Sequence, residues 1–287
     1  MAKSRNSPRT LWRVTPEAGR PAARRRLDPT REAEGDGSRR APRAAAGGRT
    51  RPDGLGNSAG VSSLIITIDG PAGVGKSTAA KLVAKRLGLT YLDTGATYRA
   101  LAYAALTAGL HPVADVARLV GLARRLPIDL RVDNSGTLQV FLDGVKVTQA
   151  IRTEAVTEAA ALVSQHPGVR AAMVQHQRKL ARRHGVVVEG RDTGSVVFPH
   201  ATHKFFLDAA PAIRARRRQR ELLRLYGTRP PLAQVREQLE FRDGLDRTRR
   251  VGPLITPRGA MALNTTRLTV KQVVRTILQH ILTHRGA

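Results

Sequence analysis

Apolar positions change texture at Ser63: before it they barely recur, and after it they recur with the spacings of strands and helices. Leu64-Ile65-Ile66-Thr67-Ile68 is a nearly continuous apolar run, the pattern of a parallel strand buried on both faces. A Gly-rich turn follows, and Leu82, Val83 and Leu87 then fit a helix over 76–87 that stops at Gly88. Tyr91-Leu92 reads as a second short strand and 95–108 as a second helix. Strand, helix, strand, helix predicts an α/β fold with a parallel sheet. Between 128 and 147 the period drops to two. Asp129-Leu130-Arg131-Val132 and Leu138-Gln139-Val140-Phe141-Leu142 flank the turn residues Asp133-Asn134-Ser135-Gly136, and Asp143-Gly144 precedes Val145-Lys146-Val147. This predicts a small antiparallel insert in an otherwise alternating chain. A helical stretch over about 153–183, strands at 186–188 and 204–207, and Arg-rich helices over 208–226 and 231–242 complete the pattern.

Charge adds a partner question. The 287 residues hold 49 basic and 22 acidic side chains, a net +27. Residues 1–60 carry 14 basic and 6 acidic residues (+8) and the remainder 35 and 16 (+19), so the basic surplus is spread along the chain. Cys is absent, which excludes a disulfide framework and any Cys-ligated zinc or iron–sulfur site. No apolar run approaches the roughly 20 residues that span a bilayer. Residues 1–62, rich in Arg, Pro, Gly and Ala, are expected to be a disordered basic extension ahead of one domain over 63–287. Three other readings of that segment stay open: an arm for nucleic acid or an acidic membrane surface, an organelle-targeting peptide, and a true start near Val61. A cytoplasmic monomer is the expectation, with nucleic-acid binding by the basic segment not favoured.

Gly70-Pro71-Ala72-Gly73-Val74-Gly75-Lys76-Ser77 matches the phosphate-loop pattern GxxxxGK[ST] in full, with Thr78 next on the helix. Its glycines let backbone N–H groups converge on phosphate oxygens, and the following helix turns its positive end to the same anion. Lys76 is the charge for the outer phosphates, and the Ser77 hydroxyl is a ligand for Mg²⁺. A nucleoside triphosphate with Mg²⁺ is therefore the expected ligand of this loop. Two further strand ends carry charge. Asp93-Thr94-Gly95-Ala96-Thr97-Tyr98-Arg99 opens the second helix, and Val186-Val187-Val188 runs into Glu189-Gly190-Arg191-Asp192. Open α/β sheets bind ligands at that edge.

Taken in order from Leu64 to Ile281, these segments resemble the bacterial-type cytidylate kinases. Besides the loop, the resemblance rests on Leu92-Asp93-Thr94-Gly95-Ala96, Tyr98-Arg99-Ala100, Ile151-Arg152-Thr153, Val169-Arg170 and Gln177-Arg178. It continues through Glu189-Gly190-Arg191-Asp192-Thr193-Gly194, Val196-Val197-Phe198-Pro199, Phe206-Leu207-Asp208-Ala209, Arg242-Asp243, Asp246-Arg247 and Pro253-Leu254. The resemblance implies a phosphate-loop kinase core, with an acceptor region over 93–170 that includes the insert at 128–147. A helical lid and the helix after it would span about 214–250. It implies transfer of the γ-phosphoryl of ATP to CMP or dCMP. Lys76, Arg191 and Arg249 would be catalytic; Thr94, Arg99 and Arg191 would hold the acceptor phosphate. Arg170 and Asp192 would read cytosine, and Arg242 and Asp246 the sugar. This chain departs from the family at Ala161, where Ser is usual, at Gly259-Ala260 and at Asn264-Thr265-Thr266, positions that bear on base selectivity. Ser164, one helical turn from Ala161, is a candidate substitute.

The competing functions are a related kinase shifted to another small acceptor, and a nucleic-acid-binding protein with a vestigial nucleotide site. Of the basic helix, Arg214 and Arg218 are expected on phosphate, and Arg216, Arg217, Arg220 and Arg224 in solvent. His200 and His203, and His280 and His284, are read as non-metal pairs, and Tyr98 and Tyr103 as helix packing. Asp69 stands either as a phosphate-loop orienter or as a plain strand-end carboxylate.

Overall fold

The computed structural model describes residues 64–133, 137–181 and 185–284. The expected N-terminal extension and the turn residues 134–136 lie outside the described residues. The first apolar run becomes β1 (Ile65–Asp69), the middle of a five-stranded sheet with β2 (Thr90–Asp93), β6 (Val186–Gly190), β7 (His203–Asp208) and β8 (Met261–Asn264). The order is β2-β6-β1-β7-β8 and every pairing is parallel. Val187 packs into the main core with Ile66 and Ile68, whereas Val186 and Val188 join Leu92 in a separate apolar cluster. Both faces of the sheet are therefore covered, which is why β1 and β6 read as unbroken apolar runs.

Local signals set the helix ends. Gly75 (φ 98°) and Gly88 (φ 65°) bracket α1 (Lys76–Leu87), and the Asp93 carboxylate caps α2 (Thr94–Thr107) by accepting from Ala96 N at 2.9 Å. The stretch expected as one helix from 153 is two, α4 (Glu154–Val163) and α5 (Pro167–Leu180). Pro167 ends the first because it has no N–H to offer, and its fixed φ starts the second. Three elements that the periodicity leaves unassigned are α3 (Val116–Arg125), β8 and the C-terminal α8 (Val270–Thr283), whose Thr269 and Gln272 form a capping box. The antiparallel insert is β3 (Ile128–Val132), β4 (Leu138–Leu142) and β5 (Val145–Lys146). Its second turn has positive φ at both Asp143 and Gly144, as a two-residue hairpin requires. The Arg-rich helices are α6 (Pro211–Tyr226) and α7 (Leu232–Thr248), the latter running six residues past the expected end. Among the described residues no helix is long and apolar enough to cross a membrane.

Candidate active site

Parallel registration brings the chemistry together: Asp69 lies beside Gly190, and Asp93 beside Glu189. The loops that follow β1, β2 and β6 thus open on one edge of the sheet. The phosphate loop follows β1, and its shape is set by close approach. A Cβ on Gly70 (φ 144°) would lie 2.0 Å from Leu207 O, and one on Gly73 (φ 79°) 2.8 Å from Arg214 O. Lys76 is buried and donates from Nζ to Pro71 O at 2.7 Å, while Ser77 and Thr78 are exposed at the first turn of α1. Burial, and then repulsion from Arg191, lower the Lys76 ammonium to about 7.

Glu189 is the hub beneath this loop. Its carboxylate accepts from Ser77 Oγ at 2.9 Å and from the Tyr91 hydroxyl, and its backbone carbonyl accepts from Thr94 Oγ1 at 2.7 Å. Burial, then the neighbouring Asp93, push the Glu189 carboxyl up. Asp93, besides capping α2, pairs with Arg99 at 2.8 Å. Asp69 orients the turn after β6 rather than the phosphate loop: it accepts from Thr193 N (2.9 Å), Thr193 Oγ1 (2.7 Å) and Gly194 N (2.7 Å). That turn continues as a single π-type turn, Thr193–Val197.

On the far side, five charged side chains alternate in sign. Arg170 pairs with Asp192 through one oxygen, and Arg249 reaches the other at 3.4 Å. Arg249 also pairs with Asp246 at 3.1 Å, and Asp246 accepts from Arg191 Nε at 2.8 Å. Burial opposes ionisation of Asp246, but Arg191, Arg249 and Arg242 outweigh it and hold its carboxyl below the usual range. The segment after α7 seals this row, with Arg249 Nε donating to Gly252 O and Leu254 N to Asp246 O at 2.8 Å. Tyr98 packs on the core, as expected, and also lies under the Arg170 guanidinium, 5.5 Å from ring centre to Cζ. Among the described residues its buried hydroxyl has no hydrogen-bond partner, and burial pushes it up to about 12. Ser164 Oγ donates to Ala161 O at 2.8 Å, and Ser164 O accepts from Arg170 Nη1 at 3.4 Å, so Ser164 borders Arg170.

The structure gathers Lys76, Ser77, Thr94, Arg99, Arg170, Arg191, Asp192, Arg242, Asp246 and Arg249 around one sheet edge. Arg242 is half-buried, and burial followed by repulsion from Arg191 lowers it to about 10. Arg214 is not free for phosphate: it pairs with Asp243 and donates to Ala72 O at 3.3 Å. Arg218 pairs with Glu221 at 2.9 Å. Arg217, expected in solvent, donates instead to Val74 O (3.2 Å) and to Thr265 Oγ1 (2.9 Å) and O (2.7 Å). Glu189 and Asp243 lie in segments that carry the resemblance, but nothing in the sequence assigned them a role of their own, and Gly252 stands outside those segments. The His280 and His284 rings stack at 4.1 Å, with His203 at 6.1 Å from His280. Among the described residues no group of three or more His, Cys, Asp or Glu is arranged to hold a metal.

The cytidylate kinase family model matches residues 66–283. The cytidylate kinase of Pelotomaculum thermopropionicum is 44% identical over 75% of this chain and 95% of its own. Those of Symbiobacterium thermophilum (43% over 77% and 97%) and Geobacillus kaustophilus (45% over 75% and 95%) are equally similar. With the family model spanning most of the chain and these relatives covered almost end to end, the chain belongs to the cytidylate kinase family.

Proposed function

We propose that this protein transfers the γ-phosphoryl group of ATP to CMP or dCMP, giving CDP or dCDP. One observation supports the reading beyond family membership. Lys76 on α1, Arg191 just after β6 and Arg242 on α7 stand close together; burial first, and then their mutual repulsion, lower the lysine to about 7 and Arg242 to about 10. Like charges crowded in a partly buried space repel until anions enter it, and two nucleotides bring their phosphates to that space.

The chain's own groups then divide the work. The backbone N–H groups of 73–78 and Lys76 hold the donor phosphates, and Thr94, Arg99 and Arg191 hold the acceptor phosphate. Arg242 and Asp246 take the sugar, and Arg249 supports the transferring group. Asp192 accepts from the cytosine amine while Arg170 donates to ring N3 and O2. Uracil would set O4 against Asp192, acceptor to acceptor, and leave a buried group unpaired. The Ser77 hydroxyl and the Glu189 carboxylate, 2.9 Å apart, are hard oxygen donors of the kind Mg²⁺ takes alongside substrate phosphates. They would hold Mg²⁺, which would supply charge neutralisation at the donor phosphates. No covalent intermediate is called for: the residues position two nucleotides in line and balance developing charge.

The test is a coupled ADP-release assay with ATP and Mg²⁺ on CMP, dCMP, UMP and AMP. Turnover should favour CMP and dCMP, and activity on none of the four overturns the proposal. Asp192→Ala should narrow the preference for CMP over UMP, with a lowered melting temperature because it leaves Arg170 buried without its partner. An unchanged preference removes Asp192 from base reading.

A further inference from the structure

Arg214 and Asp243 form an ion pair that phosphoryl transfer does not explain. They are 5% and 1% exposed, and a buried pair of this kind is a poor source of stability, because the desolvation of two charges offsets their attraction. The pair closes on one residue of the phosphate loop. Asp243 Oδ1 accepts from Ala72 N at 3.4 Å, and Arg214 Nη1 donates to Ala72 O at 3.3 Å. The Ala72 methyl packs with Ala215, Leu222, Val235 and Leu239, the small apolar cluster between α6 and α7. Gly73 leaves room for the contact, since a Cβ there would collide with Arg214 O. Both backbone polar groups and the side chain of one phosphate-loop residue are thus held by α6 and α7.

Helix α7 carries a second grip less than one turn further on. Asp246 binds Arg191 and Arg249, which lie on the acceptor side. Asp243 and Asp246 are three residues apart, so a shift of this rigid helix acts on both ends.

We propose that Asp243, with Arg214, is a positioning pair that ties the donor loop to α7 and so couples ATP binding to CMP binding. The inference rests on the acceptor reading above. ATP settling in the loop fixes Ala72, Ala72 fixes α7 through Asp243, and α7 presents Asp246 with Arg191 and Arg249 to the acceptor. By linkage CMP favours ATP to the same degree.

Calorimetric titration of the full chain measures the ratio of CMP dissociation constants without and with a saturating non-hydrolysable ATP analogue. Wild type should show a ratio of about 5 or more, the lower end of ordinary site-to-site coupling. Asp243→Asn should bring it to within about twofold of one, with each ligand alone bound within about threefold of wild type. Since Asp243→Asn leaves Arg214 buried without its partner, the double variant Arg214→Met/Asp243→Leu supplies the same loss with an apolar pair that packs. Both are checked by melting temperature, and a folded variant of either kind decides the matter. A pair that serves only to hold α6 on α7 would leave the ratio unmoved, and that result overturns the proposal. So does a wild-type ratio of one. Wild-type protein that binds the ATP analogue but no CMP sinks the acceptor reading itself, and this inference with it.

Discussion

Replacing Gly252 by alanine perturbs the Arg170–Asp192 pair directly. Gly252 has φ +62°, and a Cβ there would stand 2.2 Å from Asp192 Oδ2 and 2.7 Å from Arg170 Nη2. Neither partner retreats cheaply, because Asp192 is held by Arg170 and Arg249 and all three are buried. A normal contact requires a movement of about 1 Å in the pair or in the segment over it, and misplacement on that scale costs about 10²-fold in rate. That corresponds to about 2.7 kcal/mol of lost transition-state stabilisation. The left-handed backbone adds about 1–2 kcal/mol to the cost of folding. For a domain of this size each kcal/mol lowers the melting temperature by about 2–4 °C. Gly252→Ala should therefore melt a few degrees lower and lose about 100-fold in kcat/KM for CMP in the coupled assay. Gly88→Ala is the matched control: Gly88 has φ +65°, and a Cβ there meets nothing within 4 Å. It should show a similar melting shift with unchanged kcat/KM. A Gly252→Ala enzyme within threefold of wild type would refute the packing argument.

Two further outcomes follow from the donor side. Lys76 is lowered to about 7, and bound phosphates raise it again, so at pH 8 the free lysine is largely neutral and the bound one charged. ATP binding at pH 8 should then take up close to one proton and weaken as pH rises further, whereas at pH 6 this uptake should vanish. Calorimetry in buffers of different ionisation enthalpy reads it, and no uptake at pH 8 would contradict a lysine lowered by burial and by Arg191. Glu189→Gln keeps the side chain's shape but removes the charge beside Ser77. The Mg²⁺ concentration for half-maximal ATP turnover should rise about tenfold, as for other groups that orient a metal site. An unchanged Mg²⁺ titration excludes the carboxylate from that role.

Much of this was open to reading along the chain because the signals are local. Apolar runs, the phosphate-loop pattern, the period-two insert and the Asp143-Gly144 turn each depend on residues within a few positions of one another. The misread places are those where tertiary contact overrides a local pattern. Arg214, Arg217 and Arg218 look alike on a basic helix. Yet Arg214 turns to Asp243 and Ala72, Arg217 to Val74 and Thr265, and only Arg218 stays with its neighbour Glu221. Helical periodicity says which face a residue shares, and what stands opposite that face comes from distant chain. Likewise the weakly amphipathic β8 is recognisable only from its pairing with β7.

The sequence alone determined that the chain has a phosphate cradle at the end of a buried parallel strand, and which residues carry the cytidylate kinase pattern. A Gly-rich turn needs its glycines wherever it folds, and a strand covered on both faces needs its apolar run. Only the tertiary structure decided how those residues are used. It set Glu189 beside Ser77 across 112 positions, Asp69 on Thr193 across 124, and Asp243 on Ala72 across 171. Contacts over such separations leave no periodic trace, because what specifies them is the stacking order β2-β6-β1-β7-β8 and the packing of α6 and α7 over the loop.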